Sequence, residues 1–218
     1  MSQMSLFSAG MNDPSYDDLE GLLAGPGSIE RRGDAARVSV LVRDEWRVEA
    51  LLRGLAVLGP GADADGLLVR TAYLPQLYAV AQRWHSPLGK HPPAGLRVDG
   101  ARLWWWCLAA GGADTSGYRL GLGPEDGDAV WSAAGAALAT AGVTAALVGQ
   151  GQQGQRAADG PAYRVVGARR LVRLAELVGA APFGVPAAAW PTAGQARVGM
   201  NELPGVRAAG NYGEPSSS

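Results

Sequence analysis

The sequence predicts an α+β protein built from two copies of one helix–strands–helix–strands–helix unit. Three observations predict it. Apolar residues switch between alternating spacing and spacing by threes and fours, the same order of segments occurs twice, and a Pro-rich stretch separates the two occurrences. Of the 218 residues, 47% are apolar and 18% charged, which supports a sizeable core and excludes wholesale disorder.

Arg37–Arg43 alternates, with Val38, Val40 and Val42 on one face, and reads as a strand. Asp44 caps a helix through Trp46, Val48, Leu51, Leu52, Leu55 and Leu58, stopped by Gly59-Pro60. A loop holding Asp63, Asp65 and Gly66 leads to a second strand, Leu67–Tyr73. Pro75 sits in the first turn of a helix through Leu77, Tyr78, Val80, Ala81 and Trp84. His85–Leu96, with Pro87, Pro92 and Pro93, is the linker.

The order then recurs. An apolar helix, Ala101–Ala110, precedes a strand, Gly117–Leu122, and a helix from Asp126 to Ala141 whose apolar side is Val130, Trp131, Ala134, Ala137 and Leu138. A short strand Thr144–Val148, a Gly/Gln loop Gly149–Gly160, the strand Ala162–Val166 and a helix through Leu171, Leu174, Ala175 and Val178 follow. From Pro182 the composition turns to Pro, Ala, Gly and Ser, and an unordered tail is expected. Val38 and Tyr118 hold matching positions about 80 residues apart, and the helix at Leu103 finds its counterpart at Leu19. The expected division is a first repeat with linker over 14–92, a second repeat over 97–181 and a tail over 182–218.

Charge and cysteine content narrow the function classes. With 19 basic and 20 acidic side chains the net charge is −1, which argues against a strongly basic nucleic-acid binder. No apolar run is long enough for a membrane-spanning helix, and the N-terminus lacks the basic start and apolar stretch of a signal peptide, so a cytoplasmic setting is expected. The one cysteine, Cys107, allows no internal disulfide and offers no second sulfur ligand for zinc. Lys90 is the only lysine, and with the Ala/Gly/Pro excess this is the composition a GC-rich genome imposes.

The first copy opens Leu19-Glu20-Gly21-Leu22-Leu23-Ala24-Gly25-Pro26-Gly27, followed by Ser28-Ile29. The second opens Leu103-Trp104-Trp105-Trp106-Cys107-Leu108-Ala109-Ala110-Gly111. The first resembles the LAGLIDADG signature of homing endonucleases, and the second is a weaker match to it. From about Pro14 to Ala180 the segment order resembles two αββαββα repeats of that family. The resemblance implies a saddle of antiparallel sheets, with the two motif helices packed along a pseudo-twofold axis where Gly21 and Gly25 permit close approach. It also implies an acid near the end of each motif helix, holding divalent metals that activate water for phosphodiester cleavage. The matching positions here are Pro26 and Ala110, so no catalytic residue, metal ligand or cofactor is expected. A residual endonuclease would need a displaced acid, and Asp114 is the candidate to curl back. In losing both acids the chain resembles the DNA-binding regulators of the WhiA type from Gram-positive bacteria, without their helix-turn-helix.

The family binds DNA on the solvent face of its strands. By alternation that face includes Arg37, Ser39, Leu41 and Arg43, and the other strands add Arg70, Arg119 and Arg164. None of the four strand segments contains Asp or Glu, so the near-neutral total conceals a sorting of acids into loops and helices. The expected nucleic-acid-binding set is Arg37, Ser39, Arg43, Arg70, Arg119 and Arg164, with duplex DNA as partner and modest, salt-sensitive affinity. A half-buried sheet in an arginine-biased chain gives the same pattern without DNA. The alternative partner is a protein, met through the tail or through Trp104–Trp106, because three consecutive indoles do not fit one buried helix face. His85 and His91 lack an adjacent acid for a metal site, and Gly149–Gly160 lacks the strand and helix context of a phosphate loop. Arg169, Arg170 and Arg173 read as a solvated helix face, with a phosphate-facing cluster as the alternative, and Cys107 as core.

Overall fold

The computed structural model describes residues 13–86, 89–115, 117–149 and 160–192. The first repeat begins with a 3-10 turn, Tyr16–Leu19, leading into α1 (Glu20–Ala24). Then come β1 (Ser28–Arg32), β2 (Ala35–Leu41), α2 (Glu45–Leu58), β3 (Ala62–Asp65), β4 (Leu68–Thr71) and α3 (Tyr78–Trp84). The linker forms a small hairpin, β5 (His85–Ser86) with β6 (Gly89–Lys90). The second repeat is α4 (Gly100–Ala110), β7 (Gly111–Asp114), β8 (Gly117–Gly121), α5 (Asp128–Thr140), β9 (Ala146–Val148), β10 (Ala162–Val166) and α6 (Ala168–Val178).

The two repeats build one antiparallel four-stranded sheet each, in orders β1-β2-β4-β3 and β7-β8-β10-β9. The duplication expected from the sequence is therefore present strand for strand. Inward residues of both sheets, among them Val38, Val40, Tyr118, Leu120 and Val165, join one continuous core with the helices. Five strands are absent from the sequence reading. β3 lies where it placed a loop, β5 and β6 in its linker, and β1 and β7 where it assigned no element; β1, β3 and β7 are edge strands of the four-stranded sheets. The strand expected over Arg37–Arg43 is shifted to 35–41, which leaves Arg43 exposed in the bend before α2.

α1 and α4 pack together at the centre. A Cβ on Gly21 would fall 1.8 Å from the Arg102 carbonyl oxygen, and one on Gly25 would meet the Trp106 indole at 2.7 Å, so glycine sets the closeness of this seam. All three indoles, Trp104, Trp105 and Trp106, are buried, which overturns the reading that one faces a partner. α4 is surrounded by α1, α2, α6 and β8, so its stretch from Leu103 to Ala109 is buried on all sides. Trp104 and Trp105 meet edge-on at 5.0 Å, with Gly54 of α2 against their rings, while Trp106 donates from Nε1 to the Gly121 carbonyl at 2.7 Å.

The head of the expected tail is folded. Trp190 is 1% exposed, stacks edge-on against Trp104, and donates from Nε1 to the Gly179 carbonyl. The Tyr118 hydroxyl donates to the Ala189 carbonyl. One buried indole thus orders 182–192 against the composition. Residues 193–218, and 150–159 of the Gly/Gln loop, lie outside the described residues. Among the described residues no helix is long and apolar enough to cross a membrane.

Candidate nucleic-acid interface

On the outward face of the first sheet, each arginine of the expected set stands opposite an acid. Arg37 of β2 is in register with Glu30 of β1, and their side chains lie 2.7 Å apart. The Tyr73 hydroxyl also donates to Glu30 at 2.8 Å, and the Tyr73 ring lies under Arg37 at 4.7 Å and under Arg32 at 5.6 Å. The Tyr73 hydroxyl and then Arg37 hold the Glu30 carboxyl below the usual range, and the bond to Glu30 pushes the Tyr73 hydroxyl up. Arg70 of β4 is in register with Asp63 of β3 and lies 3.4 Å from its carboxylate and 3.8 Å from that of Asp65. Ser39, half-buried, sits between them in register with Arg70. Beyond it the face turns apolar: Leu41 is 66% exposed, in register with Leu68.

The second sheet carries less charge. Arg119 and Arg164 are in register across β8 and β10. Arg119 donates to the Gly160 carbonyl at 2.9 Å, and Arg164 lies 2.5 Å from Asp114 of β7. Burial works to raise the Asp114 carboxyl, but the Thr115 backbone N–H and Arg164 outweigh it and hold the group below its usual value. Asp114 is thus committed to the strand face and does not curl back toward the helix end. The other outward positions include Gly112, Gly117 and Gly121. A Cβ on Gly117 would fall 2.1 Å from the Val165 carbonyl oxygen.

The sorting of acids into loops and helices is corrected here. Glu30, Asp63, Asp65 and Asp114 lie on strands, on the same faces as the arginines, so both faces are mixed in charge. Arg32 and Tyr73 belong to this face and were missed. The signal for Arg32 was Gly33-Asp34, a two-residue hairpin turn that makes Ser28–Arg32 a strand. Arg169 and Arg170 are exposed at the start of α6, as expected, and Arg173 lies 3.8 Å from Glu176.

Each motif-helix end carries a cation paired with an acid from a neighbouring element. Lys90 donates to the carbonyls of Gly25 and Gly27, on either side of Pro26, at 3.0 and 2.9 Å, and its ammonium lies 2.5 Å from Asp126. Arg47, held by Asp44 at 2.9 Å, donates to the carbonyls of Cys107, Leu108 and Gly111, around Ala110. Burial lowers Lys90 and raises Asp126 from their usual values, each opposed by the other's charge. Cys107 beneath is buried and its thiol is pushed up to about 12, consistent with an inert core residue.

A divalent metal, which this fold's nucleases use, does not fit these ends. Hard cations need carboxylate or comparable oxygens; Pro26 and Ala110 supply no side-chain oxygen, and the carboxylate beside each end, Asp126 or Asp44, is already paired with Lys90 or Arg47. The flanking carbonyls already face a fixed positive charge. Among the described residues no group of three His, Cys, Asp or Glu side chains is placed to hold a metal.

No family model matches the chain, and no curated protein matches it. Among solved structures, the homing endonuclease I-WcaI bound to its DNA recognition sequence is similar, with a TM-score of 0.51 at 11% identity over 74% of this chain and 79% of that one. The likeness shows the fold: a two-repeat, LAGLIDADG-like α+β arrangement.

Proposed function

We propose that the chain is a LAGLIDADG-like protein that binds duplex DNA without cleaving it, in a regulatory role of the WhiA kind. The observation that carries this reading is the placement of Arg37, Arg70, Arg119 and Arg164 on the outward faces of both sheets, in a fold similar to an endonuclease solved on DNA. Ser39 and Arg43, with Arg32 and Tyr73, complete the proposed contact set. Phosphates reach these arginines by displacing Glu30, Asp63, Asp65 and Asp114. The pairs of Glu30, Asp63 and Asp65 are part-exposed and worth only about 0–1 kcal/mol, while the more shielded Asp114 holds Arg164 more firmly, so the exchange is feasible but leaves a modest, salt-sensitive affinity. Loss of cleavage follows from Pro26 and Ala110 at the two acid positions.

The test is anisotropy of a labelled duplex at low salt, with a parallel plasmid-nicking assay in magnesium. Binding that Arg37→Glu, Arg70→Glu, Arg119→Glu and Arg164→Glu together abolish, with no nicking, supports the reading. Absence of binding at low salt sinks it.

A second reading, a protein-interaction module, is favoured by the apolar pair Leu41 and Leu68 on the same face and by Phe183, 90% exposed. Co-purification of a partner that survives nuclease treatment and is lost in Leu41→Asp distinguishes it.

A further inference from the structure

We infer that Lys90 and Arg47 are resident cations at the two motif-helix ends, where the LAGLIDADG resemblance implies metal-holding acids, and that they lock the helix pair without any metal. The inference deepens the non-cleaving half of the proposed function, and it rests on the helix ends alone, not on DNA binding. The pairing recurs in both halves from different elements: Asp44 directly precedes α2 and faces Arg47 of that helix, while Asp126, two residues before α5, faces Lys90 of the linker hairpin. Each cation lies over the carbonyls at the end of one motif helix, flanking the position where the family's acid is missing.

Each lock also crosses between repeats. Arg47 reaches from the first repeat onto α4 of the second. Lys90 reaches from the linker onto the end of α1 while its counter-charge, Asp126, comes from the second repeat. The last carbonyls of a helix form its negative end, so a cation there is favourable, and Asp44 and Asp126 supply each cation with a counter-charge. Both side chains are well shielded, with 9% exposure for Arg47 and 10% for Lys90. In a chain otherwise committed to arginine, the one lysine sits where a compact ammonium faces two carbonyls and a carboxylate, a space a planar guanidinium fork does not match.

The experiment uses the full chain without DNA, so its outcome is separate from that of the binding assay. In the wild-type protein, the unfolding midpoint in EDTA and in millimolar Mg²⁺ or Mn²⁺ is expected to agree within about 1 °C, and a Mn²⁺ titration followed by electron paramagnetic resonance is expected to show no saturable site. Lys90→Met is expected to lower the midpoint by about 10 °C, with Lys90→Arg recovering only part of the loss. Saturable Mn²⁺ binding with a metal-dependent rise in midpoint overturns the inference, as does a Lys90→Met protein as stable as wild type. If Lys90→Met fails to fold, the wild-type Mn²⁺ titration still decides.

Discussion

In the first sheet, Arg37 faces Glu30 and Arg70 faces Asp63 across neighbouring strands, whereas the second sheet, in the same strand order, places Arg119 opposite Arg164 and fills much of the remaining face with glycine. The inward sides do not diverge in this way: Val38 and Val40 in one sheet and Tyr118 and Leu120 in the other are all buried. Packing constrains the inward positions of a duplicated unit equally in both copies, because any void or overfilled site destabilises the shared core. Most outward positions carry less of this constraint, so one face is a lattice of charge pairs and the other nearly smooth, although Gly117 on the second is held to glycine by the Val165 carbonyl. A DNA duplex laid across both would meet two unequal halves.

The largest expected effect breaks the equivalence of the two helix ends. Arg47→Met leaves the carbonyls of Cys107, Leu108 and Gly111 without their buried donor and is expected to cost about 3 kcal/mol in urea unfolding. The next compares positions that match across the repeats. Gly117→Ala drives a Cβ into the Val165 carbonyl and is expected to cost about 2 kcal/mol, while Arg37→Ala, which loses a part-exposed ion pair, stays within about 1 kcal/mol. If the two cost the same, the outward faces are under similar constraint and the contrast fails.

A smaller effect separates the faces as DNA contacts. Glu30→Gln with Asp63→Asn frees Arg37, leaves Arg70 only its longer pair with Asp65, and is expected to tighten duplex binding about threefold at fixed salt. Asp114→Asn on the second face frees only Arg164 and is expected to do less. The smallest effect is on stability against pH. Glu30 and Asp114 have folded values below their ordinary ones, so their pairs contribute fully above about pH 4.5 and the contribution is lost as pH falls through the depressed values. Acid unfolding of Glu30→Gln and Asp114→Asn is therefore expected to be shallower than that of the wild type.

How much of this was legible in the sequence follows from the same asymmetry. Alternation at Val38, Val40 and Val42 located a central strand because a strand buried on one face must alternate. β1, β3 and β7 escaped because edge strands are held partly by backbone pairing: Glu30-Arg31-Arg32 and Asp63-Ala64-Asp65 show little alternation of burial, and Gly111-Gly112 has no side chains to show it. Missing those strands hid the acids that face the arginines, and so made the faces read as more positive than they are. The close seam at Gly21 and Gly25 was legible, since only glycine permits that approach. The locks were not. Arg47 and Lys90 meet carbonyls about 60 residues away in sequence, and no local pattern marks a partner at that distance.

The most direct measurement is anisotropy of a labelled duplex titrated with the protein in EDTA over a series of salt concentrations. The expected result is binding without metal, with log affinity falling against log salt at a slope of about −3 to −4 and flattening by about 2 when Arg37→Glu and Arg70→Glu are combined. No binding at the lowest salt, or a slope untouched by those substitutions, contradicts the account.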